Sequence, residues 1–181
     1  IIKNNNNHVR LKFLSNYFGY CNFLIIFRDP ISHAYSLMKS HERFCKLQEE
    51  DIYILNYMNL IGHREFGKGF RKFIYKNSSN KNEYSPDSIN YWLKQWIECY
   101  EWILKNQLYK EHNIQLVCYE KVCTDKSYLE KIYNTLSVNF TNKNNLILKN
   151  KLSEKDKEEL NVNNQLLISS NTIYQELISY S

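Results

Sequence analysis

The sequence predicts an α/β chain, a parallel sheet wrapped by helices in three layers. Short apolar runs rich in β-branched and aromatic residues, "NFLIIF" and "IQLVCY", read as strands. Longer stretches between them repeat apolar residues at helical spacing, most clearly over residues 88–105. Strands alternating with helices build parallel sheets, because each crossover carries the chain back over a face of the sheet. The apolar run at residues 22–27 has no polar alternation and is expected to be covered on both faces.

Taken in order, residues 1–3 read as the end of a buried strand and residues 4–7, all Asn, as a loop. Val9, Leu14, Tyr17 and Phe18 share one side of a helix over 8–18. After the strand at 22–27, Asp29 suits the cap of the next helix. Pro30 suits its first position, where no amide donor is needed. That helix is expected to run to about Phe44. A short helix follows over 52–61, then "GHREFGKG", which holds three of the chain's four glycines, then a loop over 76–86. Ile89, Trp92, Leu93, Trp96, Ile97, Tyr100, Ile103 and Leu104 mark one face of the clearest helix. Trp92 and Trp96 on that face read as core, and Trp102 falls off it. A strand ending at Tyr119 and Glu120 and a helix over 126–136 come next. Ser153 with Asp156 resembles a capping box. Residues 141–181 read as a C-terminal helical extension of a single partial domain spanning 1–181.

The bulk numbers narrow the function classes. A net charge of +5 over 181 residues, with acids interspersed among bases, is no nucleic-acid footprint and fits an anionic small ligand. Five cysteines without a Cys-x-x-Cys pair or zinc spacing suggest buried free thiols in a reducing compartment, hence a cytoplasmic protein without a metal. No apolar run reaches the roughly 18 residues of a membrane span. The aromatic fraction of 15% argues against disorder. Two Asn-x-Ser/Thr sequons, at Asn77 and Asn139, are expected by chance in so Asn-rich a chain.

In parallel sheets, ligands bind outside the carboxyl ends of the strands. Those ends carry Lys3, Arg28 and Tyr119-Glu120. The guanidinium fork of Arg28 suits a phosphate or sulfate, the following helix N-terminus adds positive partial charge, and Ser36 lies about two turns into that helix. A pairing of Arg28 with Asp29 or Glu120 is the alternative. Glu120 can orient Arg28 or cap the turn after the strand.

"FLIIFRDPISHAYSLMKSH" resembles the 3′-phosphate-binding segment of sulfotransferases that use 3′-phosphoadenosine 5′-phosphosulfate. In that family an Arg-Asn/Asp-Pro follows a strand, and a Ser follows eight residues after the Arg, as Ser36 follows Arg28 here. "IIKNNNNHVRL" is similar to the family's strand-end lysine, "YWLKQWIECYEWIL" to its Trp/Tyr-rich helix, and "IQLVCYEKVCTDKSYLEKIYNTLSV" to its late Tyr-Glu segment. "SLMKSHERF" and "IGHREFG" look most like a bacterial subgroup, and the resemblance spans about residues 1–140.

The resemblance implies a fold like that of P-loop nucleoside-triphosphate hydrolases. It implies that Arg28 and Ser36 bind the 3′-phosphate, and that Lys3 steadies the leaving phosphate oxygen. The activity implied is sulfuryl transfer to a hydroxyl or amine of a small-molecule or glycan acceptor, without a metal. The family's Gly- and Lys-containing phosphate loop would precede Ile1, so the chain is expected to be N-terminally incomplete and inactive alone. The late Arg-Lys-Gly segment of many cytosolic members is absent. Asn5 stands where the family's histidine often lies. The general base is then sought among His8, His33, His41, His63 and Glu65, with His41 and His63 favoured. A nucleotide-dependent phosphotransferase of similar fold and a non-catalytic helical interaction module are the competing readings.

Overall fold

The structure, a computed structural model, describes residues 7–75, 84–139 and 152–181. Lys3, Asn5, the strand end expected at 1–3, the Asn77 sequon and most of the loop expected at 76–86 lie outside them. Among the described residues the fold is mixed α/β and mostly helical, with a two-stranded parallel sheet. A 3₁₀ turn over Asn7–Arg10 leads into α1 (Leu11–Tyr17). β1 (Phe23–Phe27), α2 (Pro30–Glu50), α3 (Ile52–Leu60) and α4 (Ile89–Lys105) follow. β2 (Ile114–Cys118), α5 (Tyr119–Thr124), α6 (Lys126–Thr135), α7 (Glu154–Glu159) and α8 (Asn164–Ser179) complete the order.

The fold divides into two compact units. The first comprises Ile1–Asp29, Tyr100–Lys151 and Thr172–Ser181, and the second Pro30–Cys99 and Leu152–Asn171. In the first, β1 and β2 pair in parallel from Phe23 opposite Ile114 to Phe27 opposite Cys118. Asn113 fixes the start of that register. Its backbone carbonyl accepts from the Phe23 amide at 2.8 Å. Its side chain donates to the carbonyls of Ser15 and Cys21 and accepts from the Ser15 hydroxyl. Both Ser15 and Asn113 are buried, and their mutual bonding offsets the cost of removing those groups from water. Among the described residues of this unit, Phe27, Ile103, Leu108, Leu116, Cys118 and Leu177 are fully enclosed.

β1 departs from its expected two-sided burial. Ile25 and Phe27 are buried, but Leu24 and Ile26 are exposed. A continuous apolar run shows that both faces tolerate apolar residues; it does not show that both are covered. The second strand stops at Cys118, earlier than expected, and Tyr119 opens α5. Glu120 in the first turn of that helix complements the positive end of its dipole.

In the second unit α2 runs past Phe44 to Glu50. Its buried residues Ile31, Ala34, Met38, His41 and Gln48 continue one helical face. The last two are polar, so apolar periodicity ends before the helix does. Asp51 stops α2 and starts α3, its carboxylate accepting the Tyr53 amide at 2.8 Å. All eight apolar positions expected on α4 are buried, Ile89 to Ile97 in this unit and Tyr100, Ile103 and Leu104 in the first, and Tyr91 joins them. The capping box forms as expected, with Ser153 and Asp156 bonding each other's amides at 3.1 Å. Asn90 ties the α7–α8 connection to α4 by accepting from the Asn163 amide at 2.8 Å and donating to the Asn161 carbonyl at 3.0 Å. Among the described residues no helix is long and apolar enough to cross a membrane.

Candidate functional site

Parallel pairing puts the carboxyl ends of β1 and β2 at one edge of the sheet, with Phe27 opposite Cys118. Arg28 and Asp29 therefore leave the sheet beside Tyr119 and Glu120. Glu120 joins the two ends directly: its Oε1 accepts the Asp29 amide at 2.9 Å. Its Oε2 accepts from the Tyr174 hydroxyl at 3.0 Å and from the Cys118 thiol at 3.5 Å. Glu120 thus ties the two strand ends together rather than serving only α5. Burial, then the neighbouring Glu120 carboxylate, pushes the Tyr174 hydroxyl well above its ordinary range, so it stays protonated and donates.

Arg28 is half-buried and follows β1 directly. The Asp29 amide next to it is already bonded to Glu120 and so is not available to a ligand. Ser36 is half-buried on α2, and its carbonyl accepts from the Ser40 hydroxyl at 2.9 Å. Arg28 belongs to the first unit and Ser36 to the second.

The two favoured histidines occupy unlike places. His41 is buried in the second unit. Its Nδ1 accepts the Gly67 amide at 3.2 Å, so the neutral ring carries its proton on Nε2, 3.6 Å from the Cys45 sulfur. Phe70 and Trp92 pack on the ring, with centroids 5.3 and 5.4 Å away. Both ring nitrogens are engaged, and the geometry is that of a histidine joining α2 to the 62–71 loop. His63 is the opposite case. Its side chain is 60% exposed, and Nδ1 lies 3.2 Å from Oε2 of Glu65. A carboxylate on Nδ1 orients the ring and leaves Nε2 to accept a proton. His8 and His33 are half-buried, His8 in the 3₁₀ turn and His33 on α2.

Burial of His41 has a measurable consequence. Desolvation holds its pKa below the ordinary histidine value, against smaller opposing effects of Asp87 and Glu42. The unfolded chain therefore takes up this proton more readily than the folded one. The associated stability is complete above about pH 6.5 and is lost as pH falls from there through the lower folded value. Urea midpoints should fall between about pH 7 and pH 5. His41→Gln, which keeps an acceptor for the Gly67 amide, should flatten that slope. An unchanged slope would remove His41 as its source.

The glycine-bearing loop is committed to α2. The Lys68 amide donates to Gln48 Oε1 at 2.6 Å, and Gln48 Nε2 lies 3.1 Å from the Met58 sulfur. The Phe70 and Arg71 amides bond carbonyls within the loop. Gly67 has φ +82°, and a Cβ there would strike the Gln48 amide group. With the Gly67, Lys68, Phe70 and Arg71 amides engaged, this loop is poorly suited to cradle a phosphate.

Trp92 and Trp96 are core residues. Trp92 also donates from Nε1 to the Pro86 carbonyl at 2.7 Å. Trp102 is half-buried. The expectation of buried thiols holds fully only for Cys118, and the other four cysteines are half-buried. Desolvation raises Cys45, Cys99 (to about 11) and Cys118, which disfavours thiolate chemistry at all three. Among the described residues no cluster of three or more His, Cys, Asp or Glu is placed to hold a metal ion. A shallow depression lined by Glu101, Leu104, Lys105, Ile173 and Glu176 contains none of the candidate binding or catalytic residues.

Glu120 was visible in the sequence as a strand-end acid, but Tyr174 was not. It lies 54 residues from Glu120, and no local pattern marks it. Comparison of the chain with family models, characterised proteins and solved structures finds no match.

Proposed function

We propose that this chain supplies, through Arg28, the 3′-phosphate-binding part of a protein that uses 3′-phosphoadenosine 5′-phosphosulfate to transfer a sulfuryl group to a hydroxyl or amine of a small-molecule or glycan acceptor. The observation that carries the reading is the strand-end junction. Arg28 follows β1 at the carboxyl edge of a parallel pair, and Pro30 opens the helix bearing Ser36. Ligands of parallel α/β sheets bind at that edge, and a guanidinium there can hold a phosphate by two parallel hydrogen bonds. The likeness of the Arg28-to-Ser36 segment to the 3′-phosphate segment of sulfotransferases names the phosphate. The proposal entails a three-layer, P-loop-type arrangement for the whole domain.

Arg28 binds the 3′-phosphate in this reading, and only the family likeness assigns Ser36 to the same phosphate. Lys3 balances charge on the departing phosphate oxygen. His63, oriented by Glu65, takes the acceptor's proton through Nε2. Its exposure suits a group that must meet a diffusing acceptor.

The test is calorimetric titration of the chain with adenosine 3′,5′-bisphosphate, ADP and ATP. The bisphosphate should bind preferentially. Arg28→Ala should weaken it by at least about 2 kcal/mol, since a charge-assisted contact is lost. Arg28→Lys should recover only part, because an ammonium lacks the planar fork. Preference for ATP or ADP would point to a phosphotransferase. Equal affinity in a folded Arg28→Ala variant would remove Arg28 from the site.

A further inference from the structure

The tail helix α8 reaches the strand-end junction through Tyr174. Tyr174 packs edge-on against Phe27, the last residue of β1, with centroids 5.9 Å apart and planes at 76°. Its hydroxyl donates to Glu120 Oε2 at 3.0 Å, and the other carboxylate oxygen accepts the Asp29 amide at 2.9 Å. A continuous chain of contacts thus runs from the tail to the residue after Arg28, all within the first unit. The same end of α8 is firmly held. Leu177 is fully buried, Ile173 is buried, and Lys121 donates to the Ser181 hydroxyl at 3.0 Å.

These contacts do different things. The ring contact and the buried Leu177 hold the helix. The hydroxyl does not add to that burial; it holds the Glu120 carboxylate through Oε2, the closer of the two donors there, the Cys118 thiol being the other at 3.5 Å. A carboxylate held at one oxygen presents the other in a defined direction, and that direction sets where the Asp29 amide can sit. Asp29 and Arg28 share a peptide unit, so the direction in which Arg28 leaves the strand follows from the same bond. The cost of a bound side chain adopting one rotamer is then met before a ligand arrives.

We propose that Tyr174 is a positioning residue for anion binding, acting through Glu120 to set the Asp29 amide and with it Arg28. The inference rests on the phosphate-binding reading above, but the relay itself can be read without any nucleotide. Tyr174→Phe keeps the ring and removes only the hydroxyl, which makes it the informative variant.

The experiment uses the full chain and two readouts: hydrogen exchange of the Asp29 amide by NMR, and calorimetric affinity for adenosine 3′,5′-bisphosphate. In Tyr174→Phe, Asp29 protection should fall and nucleotide affinity should weaken about three- to tenfold, the scale of one lost hydrogen bond. Protection in the Leu177 region of α8 should change little. Glu120→Ala should lower Asp29 protection further. Adding Tyr174→Phe to it should then have no further effect, because both substitutions break one path. A merely structural Tyr174 would instead show uniform loss of α8 protection with unchanged nucleotide affinity. Unchanged Asp29 exchange in Tyr174→Phe, or additive effects of the two substitutions, would overturn the relay. Lost Asp29 protection with unaltered affinity would overturn its coupling to binding. Absence of any nucleotide binding by the unsubstituted chain would overturn the phosphate-binding reading and the positioning role with it, while Asp29 exchange reports separately on the relay.

Discussion

Trp96→Ala is expected to destabilise the protein by about 3–5 kcal/mol, the range for truncating a buried aromatic residue. Trp96 is only 2% exposed and lies midway along the buried face of α4. Replacing the indole with a methyl group removes its burial and leaves a cavity that the neighbouring Leu93 and Ile97 cannot fill, since their own positions are set by the same helix. Urea unfolding followed by circular dichroism measures the loss. A variant that kept its midpoint but lost nucleotide binding would assign Trp96 to stacking on a base instead.

Phe27→Ala should cost a similar amount, about 3–5 kcal/mol. Phe27 is completely enclosed at the end of β1. Tyr100 and Tyr174 meet it edge-on, at 6.4 and 5.9 Å, and such aromatic pairs add to the area term. The Tyr100 hydroxyl also donates to the Ile26 carbonyl at 3.1 Å, fixing its ring beside Phe27. Phe27→Leu should recover part of the loss by keeping most of the apolar volume. A shift in urea midpoint no larger than that of a surface substitution would mean that the site collapses around the smaller residue.

Much of the architecture follows from local patterns. The buried face of α4 was legible because eight apolar residues recur at helical spacing, and each of them is buried. The Asp51 cap and the Ser153–Asp156 box have short-range causes, an acid or hydroxyl reaching amides two or three residues away. The extent of α2 was less legible because its far end buries Gln48. A polar core residue carries no apolar signal; only its partners, the Lys68 amide and Met58, show why it is inside. Leu24 and Ile26 mislead in the opposite sense, as apolar residues on an exposed side of β1.

By itself the sequence determined the helices with strong periodicity, the two paired strands, the Arg28–Asp29 connection from β1 to the proline that opens α2, and the residue types able to bind an anion or move a proton. These depend on neighbours along the chain, within the reach of one helical turn or one strand. Only the tertiary structure separated His41, buried with both ring nitrogens engaged, from His63, exposed beside Glu65. It alone brought Tyr174 to Glu120 and Glu120 to Asp29. The physical reason is the same in each case: a side chain's chemistry is inherent in its type, but its solvation and its partners depend on residues distant in sequence, and these are set only when the chain packs.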